Sequence, residues 1–326
     1  MDNRNSKSRA ELLHQAITEV KKLIRNPEEL VVRDEIVSVH ETIIRVLGPL
    51  VSVYEMGRGQ VALYEKMDEL EEKDVEEILR LTVQLAERIV PAFHSTWDIP
   101  YPSIHLKTQA IEKENAETSL TEAGSALLEF YHLSVLARAR FMQRSEGASI
   151  GLIHKRDGET GLLGTRLLVD SAEWVDERTD VGDSYYEYLS KFPRYLRPTA
   201  GKSAARWRRV WVPLYEALQT YSKKGNFWFD VNMRSGKPVD SLFQARKAYW
   251  PSILTLEGNE EAAAMNFDAI MGLWQRYGGL PEVFDVAEDR PVNEAYLLRP
   301  ELAESAFYLY RATGDRKYQY AGVLYV

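Results

Sequence analysis

Cysteine is absent from this chain of 326 residues, and other features that would place it in a particular class are also missing. Without cysteine there is no disulfide, no catalytic thiolate and no cysteine-ligated zinc site. No run of about 18 apolar residues occurs, so the sequence predicts no transmembrane helix. Acidic residues number 49 against 41 basic ones, a net charge of −8, which argues against nucleic acid and anionic membranes as partners.

The start of the chain lacks the apolar core of a secretory signal. Its first residues, MDNRNSKSRAELL, are mostly polar or charged, so we expect no signal peptide here. Hydrophobic residues nevertheless make up 45% of the chain, which is enough for a large buried core.

Helical periodicity dominates the sequence, and strands do not alternate with helices. Two shorter pieces, residues 149–164 and 227–239, contain a glycine turn between extended flanks and predict β-hairpins. No linker or shift in composition divides the chain, so we predict one all-α domain over residues 1–326. The predicted helices are residues 10–25, 41–56, 75–93, 120–143, 183–192, 204–222, 241–256, 260–277 and 300–313.

Acidic residues stand at the starts of several predicted helices. Glu41 begins ETIIRVLG, Glu122 lies in SLTEAGSALLEF, Asp183 begins DSYYEYL, and Glu301 lies in LLRPELAES. For each residue alone, capping the helix or complementing its dipole is a sufficient reason. If the helix starts ring one mouth, as in a barrel of helical hairpins, the carboxyls suit a glycosidase. That enzyme needs one carboxylic acid to protonate the leaving oxygen and one carboxylate to activate water.

Two further residues extend this pattern. Arg45 follows Glu41 by four positions, so it shares a helix face with that carboxylate and can hold it in place. Glu304 stands in the same first turn as Glu301. The histidines, in contrast, show no spacing typical of metal ligands.

The same segments resemble a known family. The stretches VSVHETIIRVLGPLVSVYEM, PYPSIHLKT, SLTEAGSALLEFYHLS, GDSYYEYLSK, AYWPSILTLEGN, YGGLPEVFD and LLRPELAESAFYLYRATGD occur in this order. Together they resemble the landmarks of the class I α-1,2-mannosidases, glycoside hydrolase family 47. The part from AYWPSIL to LRPELAES most resembles the branch of ER degradation-enhancing α-mannosidase-like proteins.

This resemblance implies an (α/α) barrel of seven helical hairpins with short β-hairpins in its connections. It also implies inverting hydrolysis of terminal α-1,2-linked mannose from high-mannose N-glycans. By motif, Glu41 corresponds to the general acid and Glu301 to the base that activates water. Asp183 corresponds to a catalytic carboxylate that positions water or the leaving oxygen. The residues that correspond to the lining of the substrate pocket are Arg45, Glu122, Arg299 and Glu304.

The resemblance further implies calcium at the barrel floor, the ER lumen as location, misfolded glycoproteins as substrates in ER-associated degradation, and an oxidoreductase as a partner. The family's Thr-Glu pair that holds calcium has no counterpart before the chain ends at RKYQYAGVLYV. Fewer helices precede Glu41 than in the family. We therefore expect a barrel that is incomplete at both ends and lacks this calcium site.

Arg246 and Lys247, in QARKAYWPSIL, are unexpected on a helix that would face the barrel interior. Unpaired buried charges cost several kcal/mol, and the sequence indicates no partner for them.

Two other functions are compatible with the same residues. One is a non-catalytic protein that binds glycans or misfolded clients and uses the barrel only as a scaffold. The other is a helical-repeat interaction module in which all the acids at helix starts are caps. Caps on a repeat array would be spread along it, whereas a glycosidase gathers Glu41, Asp183 and Glu301 around one cleft.

Overall fold

The computed structural model describes residues 9–59, 70–196 and 200–323. These residues are mostly helical, with short antiparallel strands in the connections. They group into two compact units, the first within Met1–Leu152 and Leu168–Glu173, the second within Ile153–Leu167 and Trp174–Val326. A single domain over residues 1–326 stays a prediction.

The described helices follow the chain in this order: α1 (Arg9–Arg25), α2 (Pro27–Val31), α3 (Val39–Thr42), α4 (Gly48–Gly57), α5 (Glu72–Ile89), α6 (Leu120–Gly124), α7 (Leu127–Ala137), α8 (Met142–His154), α9 (Ser184–Leu196), α10 (Gly201–Tyr221), α11 (Trp250–Leu256), α12 (Glu260–Tyr277), α13 (Glu301–Thr313) and α14 (Lys317–Val323). A π-helical turn, Ile43–Leu47, joins α3 to α4, and 3₁₀ turns span Val90–Phe93 and Ala245–Tyr249. Within the described residues, no helix is both long and apolar enough to cross a membrane.

The described strands are short: β1 (Ile36–Ser38), β2 (Ser103–His105), β3 (Glu117–Ser119), β4 (Arg166–Leu168), β5 (Trp174–Asp176), β6 (Arg178–Thr179), β7 (Lys223–Lys224), β8 (Phe227–Trp228), β9 (Val231–Asn232), β10 (Leu242–Gln244), β11 (Val283–Asp285) and β12 (Arg290–Asn293). In the first unit, β1 pairs antiparallel with β2, with Ser38 opposite Ser103. In the second unit, β6 pairs with β9, β7 with β8, and β10, β11 and β12 form one sheet.

Helix α5 shows how the core of the first unit forms. Its buried apolar side chains recur every three or four residues, so they line one face of the helix, and that face packs against α4 and α7. Glu71 and Asp74 form a capping box that satisfies N–H groups at the start of the helix. The buried apolar residues of α5 are Val75, Ile78, Leu81, Leu85, Ala86 and Ile89.

The core of the second unit is rich in aromatic side chains. Helix α9 packs against α10, while α11 contacts α9, α12 and α13. The rings of Trp228 and Trp250 are stacked, with centroids 4.9 Å apart and an interplanar angle of 5°. Phe192 meets Trp207 edge to face, so α9 and α10 share an aromatic contact.

The predicted hairpin over residues 149–164 is wrong in its first part, because α8 continues through His154. Gly147 and Gly151 stand four residues apart and thus on one face of the helix. A Cβ at Gly151 would lie 2.4 Å from the carbonyl oxygen of Trp97. The two glycines therefore allow close approach of the segment around Trp97 and Asp98, and Gly151, which the predicted hairpin included, lies within a helix. Similarly, the predicted helix 120–143 is broken into α6, α7 and the start of α8.

The start of α3 offers a direct test of a helix cap. The Ser38 hydroxyl accepts a hydrogen bond from the Glu41 backbone N–H at 3.2 Å. Ser38→Ala should lower the free energy of unfolding by about 1 kcal/mol, because the N–H group loses its partner. Ser38→Asp, which keeps a hydrogen-bond acceptor, should retain most of the wild-type free energy of unfolding. Urea denaturation of both variants measures the difference, and equal losses would exclude a capping contribution.

Candidate active site

In the first unit, Glu41 and Glu122 begin two helices that contact each other, α3 and α6. Glu41 is exposed, and its Oε2 accepts a hydrogen bond from the Arg45 Nε–H. Burial lowers the pKa of His40, with Glu41 and Glu122 opposing this effect and Arg45 adding to it. These residues therefore lie close enough to influence one histidine.

Glu122 takes part in a complete capping box at the start of α6. Its Oε2 accepts hydrogen bonds from the Ser119 N–H and the Ser119 hydroxyl, both at 2.8 Å. Ser119 Oγ in turn accepts from the Glu122 N–H at 3.1 Å. The spacing seen in the sequence thus produces the expected cap, and a role of Glu122 in binding substrate stays a prediction.

In the second unit, Asp183 is almost fully buried, with 3% of its surface exposed. It immediately precedes α9, and its Oδ1 accepts a hydrogen bond from the Tyr185 N–H at 2.9 Å. The loop before it is anchored at the carbonyl of Val181, which accepts from the Tyr249 hydroxyl at 2.7 Å and from Trp250 Nε1–H at 2.9 Å. Asp183 therefore stands at a rigidly held helix start.

Arg246 has a partner in this loop. Its Nη2 lies 2.6 Å from Asp180 Oδ2, and its Nε donates to Gln244 at 2.8 Å. Burial acts to lower the pKa of Arg246, but Asp180, Asp230 and Asp183 outweigh it and the pKa is raised. A Cβ at Gly182 would come within 2.8 Å of Arg246 Nη1, so the glycine gives the guanidinium room.

Lys247 is paired as well, in a fully buried ion pair. Its Nζ lies 2.9 Å from Asp230 Oδ1, with both side chains only 1% exposed. The same nitrogen donates to the Leu242 carbonyl at 3.1 Å, and the Val181 N–H donates to Asp230 at 3.1 Å. Burial raises the pKa of Asp230, and Lys247 opposes this. The two cations that the sequence left without partners thus neutralise acids next to Asp183.

Glu301 is the first residue of α13, and its carboxyl group is partly buried. Burial raises its pKa, and Glu282 and Glu304 add to the effect, while a hydrogen bond from its own backbone N–H and the charge of Arg299 oppose it. Its Oε2 is buried and makes no hydrogen bond to any residue that the structure describes. A carboxylate held in this way is poised to take up a proton.

Arg299, which corresponds by motif to a pocket residue, forms a two-bond ion pair with Glu282. Its Nε donates to Glu282 Oε2 at 3.0 Å and its Nη2 to Oε1 at 2.5 Å. The side chain ahead of Glu301 is therefore held in place by a residue that the sequence analysis did not single out.

Glu304 lies in a second ion-pair group. Lys191 Nζ is 2.5 Å from Glu304 Oε1 and 2.8 Å from Glu187 Oε1. Burial raises the pKa of Glu187, and both Glu304 and Glu301 add to the increase. The sequence analysis missed Glu187 and Lys191. Their spacing from Asp183, in steps of four residues along the predicted helix 183–192, was the available signal.

The structure therefore brings two sets of predicted residues together, each within its own unit. In the first unit, the pKa of His40 is influenced by Glu41, Arg45 and Glu122. In the second unit, Glu301 and Glu304 raise the pKa of Glu187. Glu187 and Asp183 both raise the pKa of the buried Tyr249. A common cleft for Glu41, Asp183 and Glu301 stays a prediction.

Calcium has no evident ligand set in this structure. Across residues 9–59, 70–196 and 200–323, no group of three or more His, Asp or Glu side chains is arranged to hold a metal ion. No step of the chemistry below is assigned to this ion.

The chain belongs to glycosyl hydrolase family 47, whose sequence profile matches residues 12–325. It is 34% identical to α-mannosidase I MNS5 of Arabidopsis thaliana over 87% of this chain and 49% of the relative. It is 33% identical to ER degradation-enhancing alpha-mannosidase-like protein 1 of Schizosaccharomyces pombe, over 90% of this chain and 36% of the relative. The chain thus spans half or less of the length of these curated relatives.

The fold resembles that of a solved α-1,2-mannosidase from Trichoderma reesei. The TM-score is 0.78, with 21% identity, over 96% of this chain and 73% of the other. This likeness confirms the all-α, (α/α) barrel fold class predicted from the sequence. Together with the family match, it contradicts the alternative of a helical-repeat module.

Glu301→Gln should make the protein more stable at pH 7, by about 1 kcal/mol, because the amide removes a charge that is costly to bury. The folded-state pKa of Glu301 lies above the unfolded value. The free energy of unfolding of the wild type therefore falls relative to that of the variant as pH rises between the unfolded-state and folded-state pKa values of Glu301. The stabilities of the two proteins should converge at lower pH. Urea denaturation at several pH values measures this. Glu304→Gln is the control and should destabilise, because it breaks the pair with Lys191. A less stable Glu301→Gln variant would contradict the assigned environment.

Lys247→Met should lower the free energy of unfolding by roughly 3–5 kcal/mol, because Asp230 would be left as an unpaired buried charge. The double variant Lys247→Met/Asp230→Asn should recover most of the loss. Lys237→Met, at an exposed lysine, is the matched control and should change stability by less than about 0.5 kcal/mol. Thermal or urea denaturation gives the values; a double variant as unstable as the single one would argue against the ion pair.

Proposed function

We propose that this chain hydrolyses terminal α-1,2-linked mannose from high-mannose N-glycans with inversion, as part of the ER-associated degradation of misfolded glycoproteins. Family membership supports glycoside hydrolysis. The observation that carries the proposal is Glu301, a half-buried carboxyl with a raised pKa and a buried Oε2 that accepts no hydrogen bond from any described residue. A helix cap alone does not need such an environment.

The roles of the carboxyls follow from the inverting reaction. Glu301 accepts a proton from water as the water oxygen attacks the anomeric carbon of mannose. The bond from that carbon to the leaving oxygen breaks, and Glu41 gives its proton to the leaving oxygen. Asp183 positions the water or the leaving oxygen. Inverting enzymes separate the two working carboxyls by about 6.5–9.5 Å, which leaves space for the water.

The surrounding pairs support these roles by holding the side chains in place. The ion pair of Arg299 with Glu282 fixes the segment in front of Glu301. Arg45 orients Glu41 from the same helical face. Because each orienting residue is already paired, little side-chain freedom is lost when a sugar binds.

The setting of the activity is proposed from the relatives. Several are named ER degradation-enhancing alpha-mannosidase-like proteins, including those of Schizosaccharomyces pombe and Homo sapiens. We extend to this chain the ER lumen as location, misfolded glycoproteins as carriers of the glycan, calcium as an ion for the complete site, and an oxidoreductase as a partner.

The purified chain, incubated with a high-mannose N-glycan in the presence of calcium, should release free mannose. Glu301→Gln should lower the rate by about 10²–10⁴-fold, because it removes the base. Glu288→Gln, at an exposed glutamate, is the matched control and should keep the wild-type rate. Proton NMR of the first product should show the β-anomer. A parallel incubation with a chelator measures the dependence on calcium.

The result also separates this proposal from a non-catalytic binder. A folded chain that binds the glycan but releases no mannose would support binding alone. Equal rates for wild type and Glu301→Gln would refute the role of Glu301 as base.

A further inference from the structure

Lys191 occupies a position between the two helices that carry the acids of the second unit. It lies on α9, its ammonium nitrogen is 2.8 Å from Glu187 on the same helix, and it is 2.5 Å from Glu304 on α13. Its side chain is 23% exposed, and those of Glu187 and Glu304 are 18% and 29% exposed. The three groups therefore interact in a region with little water to screen them.

The charge of Lys191 is secure in this position. Burial acts to lower its pKa, but Glu187 and Glu304 outweigh that effect and the pKa is raised. The ammonium group is therefore protonated throughout the pH range in which carboxyl groups titrate. When both carboxyl groups are ionised, the single ammonium group leaves the three side chains with one net negative charge.

Glu301 stands beside this group without an ion pair of its own among the described residues. Glu304 follows it by three positions in the first turn of α13, and Arg299 is held by Glu282. The charged and titratable groups that interact with Glu301 are Glu282, Tyr296, Arg299 and Glu304. Those that interact with Glu187 are Lys191, Glu301 and Glu304. Tyr249 and Tyr308 also lie nearby, and burial raises the pKa of both, so they stay neutral.

We propose that Lys191 is a positioning residue of the hydrolase: it ties Glu187 to Glu304 and thereby sets the pH range in which Glu301 accepts a proton. This inference rests on the proposed function. Lys191 does not itself donate or accept a proton in the reaction. It limits the negative charge next to Glu301 and fixes the orientation of Glu304.

The proposal predicts that the pH dependence follows the local charge of Glu187, Lys191 and Glu304. Lys191→Met adds one uncompensated negative charge, so the acidic limb of kcat/KM should move to higher pH by about one unit. Lys191→Arg keeps the cation and should leave the limb near its wild-type position. The double variant Lys191→Met/Glu187→Gln restores the wild-type net charge and should return the acidic limb to its wild-type pH. Glu187→Gln alone removes a negative charge and should move the limb to lower pH.

A second readout does not need catalysis. The stability difference between a protein with Glu301 and the same protein with Glu301→Gln changes as pH crosses the pKa of Glu301 in the folded state. Measured by urea denaturation, this inflection should lie about one pH unit higher in the Lys191→Met background than in the wild-type background.

The two readouts separate the two proposals. If the wild type is active and Lys191→Met has the same acidic limb and the same stability inflection, the proposed role of Lys191 is overturned. An inactive chain whose inflection still moves would refute the hydrolase activity and support the control of Glu301 by Lys191. If Lys191→Met does not fold, Glu187→Gln decides the question, because an unmoved inflection in that variant also overturns the inference.

Discussion

Burying carboxyl groups is the constraint on which the second unit depends. A carboxylate taken out of water needs a nearby cation, hydrogen-bond donors or a proton. Asp230 has Lys247, Asp180 has Arg246, and Glu304 and Glu187 share Lys191. Glu301 differs from them, since its carboxyl group forms no ion pair with any described residue and its buried Oε2 accepts no hydrogen bond from one. Within the described residues, the unit thus pairs these four acids with cations, whereas Glu301 has no such partner.

Helix capping and a role in catalysis are not exclusive alternatives in this protein. Glu122 completes a capping box, and Asp183 accepts a backbone hydrogen bond at the start of α9. A cap fixes the carboxyl group relative to the helix and orients it before any ligand arrives. The same hydrogen bonds that cap the start of a helix can therefore hold an acid ready for a substrate. A capping role for a residue does not weaken the proposal that it also has a functional role.

Much of the helical fold was predictable, because burial of one face imposes a period that the sequence shows directly. Helices α1, α12 and α13 lie close to where the pattern places them. The pattern failed at α8, where Gly147 and Gly151 support close contact between chain segments that are distant in sequence. A glycine that allows such contact looks the same in the sequence as one that makes a turn.

The sequence by itself determined the family, through ordered motifs, and the acids at the helix starts, through their spacing. Only the tertiary structure decided which acids are neutralised. Lys247 meets Asp230 seventeen positions before it, and Lys191 meets Glu304 from another helix. Local spacing cannot report such pairs, because the energy of a charge depends on what lies within a few ångströms of it in space. That distance is set by how the helices pack.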